Sequence, residues 1–173
     1  MIIGAGLLAN AFEKYRTRED ITIFASGVSN SLEKKDKEFC REKKLLVESL
    51  NKFSSSRFIY FGTCSIYDSS VAASPYIDHK IKMENIIIDS GIPYVIFRLP
   101  QVVGISKNDF TLTYYLFSSI LNGYHFKVWK NAIRYLVDIE DVVRYVSYII
   151  DNEKQSDIAI NVFTIACNVL DIV

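Results

Sequence analysis

The sequence predicts a three-layer α/β fold whose sheet is mostly parallel, doubly wound and reduced in size. Three observations point there. Runs rich in β-branched and aromatic residues alternate with longer helical stretches. Two of those runs, residues 57–61 and 93–99, are apolar without alternation, as strands buried on both faces are. A glycine-punctuated turn at residues 4–9 stands between the first strand and the first helix.

Met1-Ile2-Ile3 is a short apolar strand running into the glycines, and residues 7–15 have helical character. Residues 21–25 form a second strand, stopped by Ser26-Gly27. Residues 33–52 read as a charged amphipathic helix with an apolar stripe of Phe39, Leu45, Leu46, Leu50 and Phe53; its lysines and glutamates read as a solvated face. After strand 57–61, Pro75 suits the start of a helix that continues over residues 76–89 until Ser90-Gly91 stops it. Strand 93–99 is closed by Pro100, and residues 110–121 form a helix stopped by Asn122-Gly123. Two short strands (125–129 and 133–137), a long helix (138–150), a final strand (158–163) and a turn of helix complete the chain.

With 173 residues, half of them hydrophobic, residues 1–173 make one domain around one core. Twenty basic and twenty acidic side chains cancel, so no global field draws nucleic acid or an anionic membrane. The longest apolar run, residues 142–150, is interrupted by Arg144 and too short to span a bilayer. Cys40, Cys64 and Cys167 have no paired spacing, which fits small buried hydrophobes in a reducing cytoplasm. His79 and His125 lack partners at ligand spacing, so no metal is expected.

The glycine pattern Gly4-x-Gly6-x-x-Ala9 lies between a strand and a helix, as dinucleotide binding on a Rossmann-like fold requires. Gly4 permits the tight turn, Gly6 lets a pyrophosphate approach the backbone, and the helix start offers unpaired N–H groups. The carboxylate expected at the end of the second strand is absent, because Ala25 is followed by Ser26-Gly27-Val28-Ser29. A plain strand-helix connection is the alternative.

Tyr76 and Lys80 stand four residues apart and share a helix face. A free phenol ionises near pH 10, so it serves as a base at neutral pH only where a cation stabilises the phenolate. With eleven tyrosines in the chain, roughly one such pair arises by chance, and placement has to decide. Thr63 ends a buried strand at the edge where parallel sheets bind ligands; its hydroxyl, and less directly that of Ser65, suits a substrate oxygen. The stretch from Arg98 to Gly104 is a second exit on the same edge. Tyr114, Tyr115, Phe117, Tyr145 and Tyr148 are expected in a core or subunit contact.

Together these segments resemble the extended short-chain dehydrogenase/reductase superfamily, specifically its NAD-dependent epimerase/dehydratase branch acting on nucleotide sugars. The likeness runs through residues 4–9, 24–29, 58–67, 74–80, 92–104 and 134–142, in the family's order. It implies Tyr76 as acid/base, Lys80 as its partner and holder of the nicotinamide ribose, and Thr63 on the sugar oxygen. It puts Gly4, Gly6, Leu7, Leu8 and Ala9 on the pyrophosphate loop, and Ala25 and Gly27 on a strand exit beside the cofactor. Val102 falls near the nicotinamide and Gln101, with Ser65, near the sugar. NAD or NADP, a nucleotide-sugar substrate, a cytoplasmic homodimer paired through helices 33–52 and 76–89, and a role in surface-polysaccharide synthesis follow from the same likeness. Residues 21–29 resemble the family's fourth strand, so its second and third are missing; the loop from Thr63 to Tyr76 is short, at thirteen positions, and the usual substrate-binding extension is largely absent. A catalytically reduced binding protein, or a subunit completed by a partner, is the alternative on the same fold.

Overall fold

The computed structural model describes residues 1–69, 74–105 and 112–172. In chain order its elements are β1 (Ile2–Ile3), α1 (Leu7–Ala11), β2 (Ile21–Phe24), α2 (Asp36–Lys52), β3 (Arg57–Thr63), α3 (Pro75–Ile88) and β4 (Tyr94–Leu99). There follow β5 (Gln101–Val103), α4 (Leu112–Leu121), β6 (Ile133–Asp138), α5 (Ile139–Asn152), β7 (Ile158–Asn161) and β8 (Ala166–Asn168).

Strand β3 shows why the layers form. Side chains alternate across a sheet, and here both sets are apolar: Phe58 and Tyr60 join one buried cluster, Ile59 and Phe61 the other. The first face is covered by Leu46 and Leu50 of α2 with Met83 and Ile87 of α3. The second is covered by Ala9 of α1, Phe12 and Tyr15 just beyond it, and Val142, Val146 and Ile150 of α5. Five parallel strands in the order β1-β2-β3-β4-β7 form this sandwiched sheet, and β5-β6-β8 form a smaller one with β6 and β8 antiparallel. The expected three-layer, mostly parallel Rossmann-like architecture is present.

The missing strands leave a topological mark. A doubly wound sheet carries its second and third strands on the far side of the first, whereas β1 is here an edge strand among the described residues. The steps β1 to β2 and β2 to β3 run in the same direction, yet α1 and α2 cover opposite faces. The two crossovers therefore have opposite hands. With α2 and α3 on the usual right-handed course, β1-α1-β2 takes the hand that parallel units almost never adopt. Joining a first strand directly to a fourth gives this geometry. Contact at the join is close: Gly4 has φ +133°, and a methyl there would overlap the Ala25 carbonyl at the exit of β2.

Several expectations are corrected. The helix over 7–15 is α-helical only to Ala11 and then tightens into a 3₁₀ turn, Glu13–Tyr15, where the Tyr15 hydroxyl donates to Asp151 Oδ2 at 2.7 Å. Helix α2 starts at Asp36 because the Glu33 carboxylate accepts from the N–H groups of Lys34 and Lys35, closing a separate turn. Residues 125–129 form no strand, since β6, the next strand in sequence, already has β5 and β8 on its two edges. Strands β5 and β8, three residues each, were not expected. Positions 110 and 111 of the expected helix 110–121 lie outside the described residues. Cys40 is exposed and Cys64 and Cys167 half-buried, so none of the three is a core hydrophobe. Tyr115, Phe117, Tyr145 and Tyr148 are each more than 40% exposed, so of the core or subunit contact expected for them it is the core that is excluded.

Gly4→Ala should lower the unfolding free energy by about 2 kcal/mol through backbone strain and the carbonyl overlap. At Gly6 a methyl would meet nothing within 4 Å, and the change to Ala should cost no more than about 1 kcal/mol. Urea unfolding of the two variants measures the contrast, and equal losses would contradict it.

Candidate active site

All strands of the large sheet are parallel, so the exits of β1, β2, β3 and β4 lie on one edge. Close contacts tie those exits together. Gly4 abuts Ala25, a methyl on Gly104 would sit 3.1 Å from Leu7 and 2.8 Å from Ile139, and one on Gly27 would sit 2.7 Å from Lys80 Nζ. Gly6, by contrast, faces open space, leaving room for a ligand oxygen against the backbone. Ala9 is fully buried, while Leu8, Ala25 and Val102 pack half-buried against the α1/α5 core. The glycine turn thus leaves its backbone open at Gly6. No carboxylate ends β2, and among the described residues no strand lies on the outer side of β1, away from β2.

Helix α3 opens at Pro75 behind Ser74 and presents Tyr76, Lys80 and Glu84 at successive turns of one buried stripe. Tyr76 is 7% exposed and packs with Val28 and Ile77, with Phe39 and Ile66 at the margin. Lys80 is 3% exposed; its Nζ donates to Tyr60 Oη at 2.9 Å, Glu42 Oε1 at 3.2 Å and the Phe61 carbonyl at 3.4 Å. The phenol touching the ammonium is thus that of Tyr60, and no hydrogen bond among the described residues joins Lys80 to Tyr76. Thr63 Oγ1 accepts from the Ser65 N–H at 3.1 Å, which leaves its own hydroxyl hydrogen to donate. Gln101 and Val102 lie half-buried on β5, paired with Leu136 and Val137 of β6.

Three participants escape a reading of the sequence. Glu42 of α2 is completely buried, against the expectation that the acids of this helix are solvated. Its carboxylate accepts from Tyr60 Oη at 2.7 Å, the Val28 N–H at 2.6 Å and His79 Nε2 at 2.9 Å, besides Lys80. Burial pushes this carboxyl up, but the Lys80 ammonium and the bonds from His79, Val28 and Tyr60 outweigh it and bring it down to about 2. Burial, reinforced by Glu42, raises the Tyr60 phenol far above its ordinary range, so Tyr60 stays neutral. The stripe held the signal for Glu42: it lies one turn before Leu46, on the apolar face between Phe39 and Leu46. Glu84, the third, grips Arg98 of β4 with contacts of 2.6 to 3.2 Å, and Arg98 donates onward to Tyr67 Oη at 2.6 Å.

The sequence profile of the NAD dependent epimerase/dehydratase family matches residues 22–162. The chain belongs to that family. No curated protein sequence matches it significantly. Among solved structures, the UDP-glucuronic acid 4-epimerase of Bacillus cereus, in complex with UDP-glucuronic acid and NAD, superposes with a TM-score of 0.74 at 18% identity over 94% of this chain and 59% of its own. MoeE5, in complex with UDP-glucose and NAD, gives 0.77 at 15% identity over 94% of this chain and 62% of its own. The dTDP-glucose 4,6-dehydratase of Bacillus anthracis str. Ames, in complex with NAD, gives 0.71 at 12% identity over 95% and 58%. At such identities the likeness is one of fold. This epimerase/dehydratase family member spans about three fifths of the length of those structures.

A carboxyl held at about 2 instead of 4.5 adds stability that is complete above about pH 4.5 and lost as pH falls toward 2. Unfolding free energy should therefore drop across that window in the wild type and fall less steeply in Glu42→Gln, as denaturant titrations at stepped pH will read. Parallel slopes for the two proteins would sink the assignment.

Proposed function

We propose that this chain is an NAD(P)-dependent enzyme of nucleotide sugars, an epimerase, dehydratase or ketoreductase, in which Tyr76 exchanges a proton with a sugar hydroxyl. The observation that carries it is the convergence of Tyr76, Lys80 and Thr63 with the open glycine turn on one sheet edge, within a family named for this chemistry. A nicotinamide bound there supplies hydride exchange at the sugar carbon. Thr63 donates its hydroxyl hydrogen to the sugar oxygen and orients it. Tyr76 takes or returns the proton on that oxygen. Lys80 stands one helical turn from Tyr76, and its longest contact, to the Phe61 carbonyl, is the one a ribose hydroxyl would replace. Ser65 and Gln101 line the sugar side. Leu7, Leu8 and Ala9 follow Gly6 in the pyrophosphate turn, with Gly27 and Val102 toward the nicotinamide.

A second reading has its own observation: all three hydrogens of the Lys80 ammonium already have partners inside the protein. With no ribose carboxylate on β2, that favours a catalytically reduced protein that binds a nucleotide or sugar nucleotide without turning it over. Surface-polysaccharide synthesis is the setting the nucleotide-sugar reading suggests, in the cytoplasm where such substrates are made. A homodimer through α2 and α3 would cover the exposed Val47, Ile81 and Ile88, and a monomer by light scattering at high concentration would contradict it.

Calorimetric titration with NAD(H) and NADP(H) separates the readings. The enzyme reading expects coenzyme binding and sugar-nucleotide turnover that falls by about 10²–10⁴-fold in Tyr76→Phe with the fold intact. Turnover unchanged in that variant rules out the acid/base role, and binding without turnover supports the second reading.

A further inference from the structure

An ammonium enclosed as Lys80 is, at 3% exposure, carries a desolvation cost that only a close counter-charge and full hydrogen bonding offset. Glu42 is that counter-charge, at 3.2 Å, and it comes from a different helix. Its own position is over-determined. Four donors from three places in the chain meet its two oxygens: the Val28 N–H beyond β2, Tyr60 of β3, and His79 and Lys80 of α3. The ionised carboxylate only accepts, so His79 donates through Nε2, and its ring is stacked on Phe39 with centroids 4.7 Å apart. Tyr60 donates to Glu42 and accepts from Lys80, closing a triangle of three side chains. The triangle lies against the β2 exit, where a methyl on Gly27 would come within 2.7 Å of Lys80 Nζ and 3.1 Å of Glu42 Oε1.

We infer that Glu42 is a positioning residue: it keeps Lys80 charged and fixes the ammonium at the C-terminal edge of β3, within reach of a ligand seated beside Gly27 and Tyr76. This rests on the functional reading above only for the identity of that ligand. Glu42 is wholly out of solvent, so its effect on a ligand passes through Lys80. Without the carboxylate, a buried ammonium is left with no counter-charge beside it.

Glu42→Gln keeps the shape and the accepting oxygen while removing the charge. Carbon NMR of lysine-labelled protein without coenzyme, with Lys80 assigned by its loss in Lys80→Met, reads the charge directly. Near neutral pH the Lys80 ε-carbon should show the ammonium position in the wild type and move toward the amine position in Glu42→Gln; an unmoved resonance in folded variant overturns the proposal. Fluorescence titration with NADH supplies a second readout. Glu42→Gln and Lys80→Met should each weaken binding about tenfold or more, and the double variant should bind no more weakly than Lys80→Met. Additive losses would mean that Glu42 supports the fold and not Lys80, and would equally overturn it. Should Glu42→Gln fail to fold, Glu42→Asp takes its place: the charge stays, the arm shortens by one methylene, and NADH affinity should fall, with wild-type affinity overturning the proposal. A wild type that binds neither NADH nor NADPH sinks the functional reading alone, and the NMR comparison still decides the role of Glu42.

Discussion

The Glu42–Lys80 ion pair sits where α2, α3, β3 and the exit of β2 meet, and the geometry of this edge depends on its being satisfied. Two charges out of water cost several kcal/mol each unless paired and hydrogen-bonded. Here the remaining capacity of both groups is taken by Tyr60, His79, the Val28 N–H and the Phe61 carbonyl. A shift of α2 along α3 would leave at least one of these buried groups unpaired. Shape is constrained with charge, since a methyl on Gly27 would crowd the pair and one on Gly62 would crowd Glu84. Gly27 and Gly62 thus leave room for polar groups and Gly104 for Leu7 and Ile139, while Gly6 faces open space.

Around that fixed point the sheet has been reduced on one side only. The strands from β2 to β7 keep the alternating apolar faces that two helical layers require, and their register is continuous. On the other side β1 holds just two residues, and its crossover takes the uncommon hand. Close backbone contact at Gly4 and Ala25, the ring of Tyr15 in the α1/α5 core, and its hydroxyl bond to Asp151 hold this join in place. Packing overrides the handedness preference because Ala9, Phe12 and Tyr15 find the α5 face already apolar.

Much of this was legible from the residues. Continuous apolar runs marked β3 and β4, the glycine turn marked the first unit, and the four-residue spacing put Tyr76 and Lys80 on one buried stripe, as found. What escaped was polar and non-local. Glu42 looked like one acid among many on a charged helix, although its place between Phe39 and Leu46 put it on the apolar stripe. Tyr60 looked like a hydrophobe in a buried run, although a buried phenol needs a partner for its hydroxyl. Glu84 and Arg98 are fourteen residues apart and meet only because α3 returns over β3 and β4. The short strands β5 and β8 were missed because three residues carry too little periodicity. Residues 125–129 had the pattern of a strand and no open edge on β6 to join.

The one-sided reduction also separates the two tasks a dinucleotide site combines. The proton transfer proposed above would draw on Thr63 at the end of β3, Tyr76 and Lys80 on α3, and the carboxylate that holds Lys80, all from contiguous units of the sheet. Holding an adenosine needs the strands beyond β1. The register of β3 with β4 does not involve β1, nor do the contacts that join Glu42, Tyr60 and Lys80. In the proposed reading coenzyme affinity then rests on the pyrophosphate turn and the nicotinamide half. Lys80 stands on that half, so the buried carboxylate behind it would bear on binding as well as on chemistry.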